Sequence, residues 1–268
     1  MANKFLGRED APIEEKTWKA LDEAVIRTVK AQLSGRRLLE IEGPFGLHTK
    51  SVPLEDAVIE DGKVSVYAAR VLPVPLMQTT FTLSARDLAA FEKTGFAFDC
   101  KEVVDAAAAI AQAEDVLVFE GSKTLGIEGL LTAKGTASVK LSSWQDVGAA
   151  ANDIIKAVTA LDEAGFHGPY ALALAPSLYN LLQRVYPHGN LTEAQHIQSI
   201  VGSKVIKAPA LKQGGVLIAS GKQFASLVLA QDLMVGFIGP TGSGFEFQLS
   251  ESLVPRIKVP SSICVLKP

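Results

Sequence analysis

Residues 50–83 constrain the fold more than any other stretch of the chain. They carry extended-strand signals and no helix. Residues 57–60 (Ala-Val-Ile-Glu) and 63–67 (Lys-Val-Ser-Val-Tyr) flank Asp61-Gly62, a two-residue turn of the kind that closes a β-hairpin. The extended pattern runs on from Arg70 to Leu83, with no obvious second sheet nearby in sequence. A strand of about nine residues spans roughly 30 Å at about 3.3 Å per residue. A compact body of this chain length has a radius of gyration of only about 18 Å. Such a hairpin either lies on the core as part of an ordinary sheet or projects from it as an arm. The pattern alone leaves both open.

The remaining sequence supplies a core for that hairpin to stand on. The chain has 268 residues, 48% hydrophobic and 21% charged, which suffices for one large or two smaller domains. A net charge of -3 without blocks of like charge points away from nucleic acid. Apolar runs such as residues 71–77 are short and broken by Pro73 and Pro75, far below the roughly 18 residues of a membrane span. The N-terminal residues lack the apolar run of a signal peptide, so a cytosolic location is expected. Cys100 and Cys264 have no metal-ligand partner at a useful spacing and are expected to be reduced and buried.

The elements alternate between two textures. A helix is expected over residues 12–34, with Asp10 as cap, Pro12 near the first turn, and Glu14 and Glu15 at the positive end of the dipole. Trp18, Leu21, Val25, Val29 and Leu33 form its apolar stripe. Gly35 is expected to end it, before a strand over 36–42 and a turn at 43–46. Ser84 with Asp87 opens a further helix closed by Gly95. Asp99 and Glu102 open a long central helix running to Glu120, whose alanine run at 106–109 packs closely on both sides. From Leu141 the pattern becomes α/β: helices over 143–164 and 177–185, a strand over 170–174, and a Thr192–Gln195 capping box for a helix to Val201. Strands are expected through 204–238, with a domain junction near 132–140. Two last strands, 245–250 and 253–266, are expected to return to the first domain. The class is α+β.

Motifs for chemistry are missing. The glycine-rich segment 239–244 lacks the Lys-Ser/Thr of a phosphate loop and precedes an alternating strand, so it reads as a hairpin turn. His48, His167, His188 and His196 form no HExxH or His-x-His pair. There is no Gly-x-Ser-x-Gly elbow, and neither cysteine has an evident activating base. No catalytic residue, metal site or cofactor is assigned.

Several segments, in order, resemble one family. Residues 11–18 (Ala-Pro-Ile-Glu-Glu-Lys-Thr-Trp), 32–37 (Gln-Leu-Ser-Gly-Arg-Arg) and 42–46 (Glu-Gly-Pro-Phe-Gly) are similar to the N-terminus of the encapsulin nanocompartment shell proteins. Phe81-Thr-Leu83, the stretch 114–121, the glycine pattern Gly121, Gly126, Gly129-Leu-Leu131, Gly168-Pro-Tyr170, Gln231-Asp-Leu233 and Gly236 continue the match.

The resemblance implies an HK97 phage-capsid-like fold. Its peripheral domain would take residues 1–49 and 84–134, its extended arm 50–83, its axial domain 135–225, and strands 226–268 would return to the peripheral domain. It implies a homo-oligomeric icosahedral shell, for which short loops favour sixty copies, with arms pairing across subunits. It implies cargo enzymes, ferritin-like or dye-decolourising peroxidases, held by a C-terminal peptide at Val29, Leu33, Arg36, Glu40 and Val235. Glu40 stands where members often carry Asp, which would shift peptide preference. A fivefold pore loop is implied at Pro187, His188, Gly189 and Asn190. Flavin is not carried over, because Arg86 stands where flavin-binding members have Trp. The alternatives are a tailed-phage major capsid protein, which often brings a scaffolding segment for which a helix from residue 12 leaves no room, and a protease or bacteriocin, for which no nucleophile–base pair is present.

Overall fold

The computed structural model describes residues 4–61, 63–95, 101–187 and 189–268. Gly62, Asp99, Cys100 and His188, each singled out above, lie outside the described residues. After two short 3-10 turns (Lys4–Leu6 and Arg8–Asp10), the first half contains α1 (Glu15–Gln32), α2 (Gly35–Leu38), β1 (Glu40–Glu42), β2 (Ser51–Asp61), β3 (Val64–Pro73), β4 (Leu76–Ser84), α3 (Ala85–Thr94) and α4 (Lys101–Glu120). The second half contains β5 (Gly121–Ser122), β6 (Ile127–Glu128), β7 (Ala137–Lys140), α5 (Ala149–Glu163), β8 (Tyr170–Leu174), α6 (Pro176–Leu181), α7 (Glu193–Val201), β9 (Val205–Lys207), β10 (Gly215–Ala219), β11 (Ala225–Thr241), β12 (Gly244–Ile257) and β13 (Ile263–Lys267).

Two sheets organise the body. The first has the order β1-β11-β12-β4 and is built on the long β11–β12 hairpin. That hairpin turns at Gly242, whose positive φ of 48° suits glycine. The glycine-rich segment is therefore a turn, as its sequence predicts. Helices α1 and α4 pack on this sheet through Trp18, Leu21, Val25, Ile110, Phe247 and Leu249. Ala106, Ala107 and Ala111 are buried among them, which explains why the central helix is alanine-rich. The second sheet has the order β7-β13-β10-β8-β9 and is covered by α5 and α7 through Ile154, Leu161, Leu172, Ile197 and Leu217. The C-terminal end of α4 (Leu117, Val118, Phe119) lies in a third cluster with residues of both sheets, including Leu227, Val254, Ala173 and Ile218.

The hairpin β2–β3 stands apart. Its strands pair with each other and with no other strand among the described residues. Val52, Leu72 and Val74 root its base in the core. Beyond the base, β3 is exposed from Val64 to Val71, including Val66 and Tyr67. Of the two placements the sequence left open, the hairpin takes that of an arm.

Several expected boundaries move, each for a local reason. Helix α1 starts at Glu15, and Asp10 ends a 3-10 turn instead of capping it. The cap comes from α3: Glu92 Oε1 accepts from Glu14 N at 2.7 Å and from Thr17 Oγ1 at 2.8 Å. Helix α1 stops at Gln32 because Leu33 is extended, and Gly35 opens α2 instead of closing α1. The cause is Asp115 of α4, whose carboxylate accepts from Ser34 N, Ser34 Oγ and Gly35 N and bends the chain around itself. A Cβ on residue 35 would come within 3.1 Å of Asp115 and Val118. Only 40–42 of the expected 36–42 strand pairs as a strand, since 36–38 are helical. Helix α5 starts at 149, since Asp153 Oδ2 accepts from Ser142 N, Ser142 Oγ and Trp144 Nε1 and holds the preceding residues in turns. Helix α6 ends at 181, and Val185 bridges to Thr192.

The last strand also departs from expectation. β13 does not return to the first sheet; it lies in the second, antiparallel to β10 and parallel to β7. Ile263, Cys264, Val265 and Leu266 are all buried, a continuous apolar run that suits a central strand covered on both faces.

Candidate functional site

The five residues expected to hold a peptide separate into two groups. Val29, Leu33 and Val235 are buried in the core between α1 and the first sheet, alongside Trp18 and Phe247. Their side chains support the wall and are not presented at its surface. Glu40 is exposed at the start of β1. Arg36, on the short helix α2, is the centre of an ionic cluster.

The Arg36 guanidinium meets three carboxylates. Its Nε lies 2.9 Å from Glu114 Oε1 and its Nη2 2.8 Å from Glu114 Oε2. Nη2 also reaches Glu251 Oε2 at 2.8 Å, and Nη1 reaches Asp232 Oδ1 at 2.7 Å. Glu114 and Glu251 have side chains 0% exposed, whereas Asp232 is 59% exposed. Burial works against the charge on Arg36, but the surrounding carboxylates outweigh it and hold the guanidinium firmly protonated. Burial raises the Glu114 carboxyl, opposed by its bonds to Arg36. Burial followed by the charge of Glu114 pushes Glu251 up to about 9.

Asp232 carries the cluster to a surface cleft. The cleft, of about 410 Å³, is lined by Phe5, Pro44, Leu47, His48, Asp232 and Met234, among others. It lies along β11 where strand pairing is interrupted. Upstream, β1 pairs with Ser226 to Val228, then Phe45 N and Gly46 N donate to Leu229 O and Ala230 O. Downstream, Arg8 Nε donates to Val235 O at 2.7 Å while its other nitrogens grip Asp22. The cleft occupies the gap between these two attachments. In the sequence, Pro44 and Gly46 stand out only as a turn within a matched segment, His48 only as a histidine without a motif, and Gln231-Asp-Leu233 only as a matched segment; nothing marks Phe5, Leu47 or Met234.

The other candidate site is the loop between α6 and α7. Pro187, Gly189 and Asn190 are exposed. The loop base is pinned by the Val185–Thr192 bridge and by Tyr186 N donating to Leu191 O. Below it, Arg184 pairs at 2.9 Å with the buried Glu193, whose Oε1 accepts from Gly148 N. The Thr192–Gln195 capping box is present as the sequence predicts.

Comparison with known proteins places these features. Residues 3–254 match the family described as "Encapsulating protein for peroxidase". The type 1 encapsulin shell protein EncA of Myxococcus xanthus is 33% identical over 98% of this chain and 96% of its own length. The chain belongs to the encapsulin shell-protein family. A diheme-cytochrome–encapsulin shell fusion protein of Kuenenia stuttgartiensis is 32% identical, covering 95% of this chain and 74% of the fusion. Among solved structures, a virus-like particle from Pyrococcus furiosus superposes with a TM-score of 0.75 at 24% identity, over 94% of this chain and 99% of that one. The capsid of Myoviridae phage XM1 gives 0.58 at 12% identity, over 85% and 88%. This encapsulin thus has the HK97-like capsid fold. No helix among its described residues is long and apolar enough to cross a membrane.

Proposed function

We propose that the protein is a structural subunit that assembles into a closed icosahedral compartment around cargo proteins in the cytosol. The free β2–β3 hairpin carries this reading. It presents unpaired strand edges and exposed Val58, Val64, Val66, Tyr67 and Val71, a combination that invites aggregation in an isolated subunit. Strand addition to a neighbouring subunit satisfies those edges, and closed symmetry uses up every one. Sixty copies is the smallest such shell. The chain itself carries no catalysis.

Cargo docks through a peptide in the cleft beside Arg36. Phe5, Leu47 and Met234 give it apolar walls, and Asp232 gives it a polar anchor. Val29, Leu33 and Val235 act from behind, as the packed layer that fixes the wall. The family description and the cytochrome fusion of one relative favour a redox enzyme as cargo, a peroxidase or a ferritin-like protein. The loop with Pro187, His188, Gly189 and Asn190 lines a pore for small solutes.

Docking is tested by co-purification of cargo with a Met234→Glu variant. Its side chain is only half-buried, so shells are expected to form. Cargo loading should fall at least tenfold. Undiminished loading in intact shells rejects the cleft, and failure of wild-type protein to form particles rejects the shell reading itself.

A further inference from the structure

Charge does not balance around Arg36. One guanidinium faces three carboxylates, two of them fully buried. Glu114 receives two N–H groups from it, Nε and Nη2, whereas Glu251 receives only Nη2. Glu251 Oε1 is buried and has no hydrogen-bond donor. Two buried carboxylates ionised around one shared cation leave a negative charge out of water without compensation. A proton on the Glu251 carboxyl relieves both faults. It cancels the buried surplus charge, and it gives the Glu251 carboxyl an O–H to share with the neighbouring Glu114 carboxylate, with which it is in hydrogen-bond contact.

Among the described residues, the groups around the cluster offer no other remedy. Helix α2 contributes Arg36 and, farther off, Arg37; α4 contributes Glu114 and Asp115; β11 contributes Asp232. Strand β4, paired with β12 at Glu251, carries no titratable residue. Asp115 is already engaged by Ser34 and Gly35.

We propose that Glu251 is a proton-holding site, neutral at physiological pH and donating to Glu114, and that this shared proton, with Arg36, clasps α2 and α4 onto the β11–β12 hairpin. The proposal goes beyond the shell reading and does not depend on it. Its consequence is an alkali-sensitive joint. The folded chain keeps a proton up to about pH 9 that an unfolded glutamate loses near its ordinary value of 4.5. The folded state therefore binds more protons across that window, and stability contributed by this group falls as pH rises from about 4.5 to about 9. Above that, Glu251 adds no further loss.

Infrared spectroscopy of the wild-type protein in heavy water, in whatever assembly it forms, is the direct test. A protonated-carboxyl band should persist at pH 7, titrate away near pH 9, survive Asp115→Asn and vanish in Glu251→Gln. Absence of that band from wild-type protein at pH 7 overturns the proposal without recourse to any variant. Thermal melts provide a second readout, because the side-chain amide introduced by Glu251→Gln keeps a donor toward Glu114 at every pH. Glu251→Gln should remove at least about half of the melting-temperature loss seen between pH 6 and pH 10. An equal loss in both proteins contradicts it.

Discussion

Truncating Arg36 to alanine leaves the buried Glu114 carboxylate without its cation. The cost of breaking such a buried pair is about 3–5 kcal/mol, and Arg36→Ala should lower unfolding stability by that amount in denaturant titrations. A loss below about 1 kcal/mol would mean that the cluster is solvated and loosely held. The same substitution is consequently a poor probe of docking, since it damages the wall before it touches the peptide. Cleft residues such as Met234 separate the two effects. The role of Arg36 was only half legible in the sequence. Its partners lie 78, 196 and 215 residues away, so no local spacing could reveal them. The Thr192–Gln195 capping box was legible because its two bonds close within four residues. Val29 and Leu33 mark the middle case. The helical stripe identifies them as one face, but it cannot say whether that face meets the core or a ligand.

At the scale of elements, the glycine pattern at 121, 126 and 129 has a specific cause. Gly121 and Gly126 adopt positive φ of 72° and 67°, and a Cβ on Gly129 would fall 2.3 Å from Gly121 N. The backbone turns out of α4 so tightly that β5 and β6 press glycine on glycine. Gly129→Ala should cost more than about 2 kcal/mol, read from the chemical-denaturation midpoint, because backbone has to move. The alanine at Gly126, where nothing lies within 4 Å, should cost less. Elements set by local signals were readable in advance: the α3 cap at Ser84, the β11–β12 turn and the long α4. Boundaries set from a distance were not. Asp115 ends α1 and Glu92 caps it through side chains from other helices, and Asp153, inside α5, delays that helix by reaching back 9 to 11 residues.

At the scale of the whole molecule, the body and the arm have separable roles. Among the described residues the body holds three clusters of buried residues, and those of the distal hairpin belong to none of them. Replacing residues 55–69 with a short glycine-containing turn should leave the melting temperature of the subunit within a few degrees while abolishing particles. A large loss of subunit stability would show that the hairpin is part of the body's core. The arm's two strands were legible in the sequence, but its projection was not, because the same alternation serves a packed hairpin. The destination of β13 was hidden for a related reason: an apolar run is central in whichever sheet it joins. The docking cleft, the pore loop and the arm all depend on shell formation. The most direct measurement is a native particle mass with electron cryomicroscopy of the purified chain. Closed particles are expected, with a subunit count of sixty or a multiple of it, each copy of 28.4 kDa, and with β2–β3 paired to a neighbouring subunit. A monomer, or an open aggregate in which the arm pairs with nothing, would contradict it.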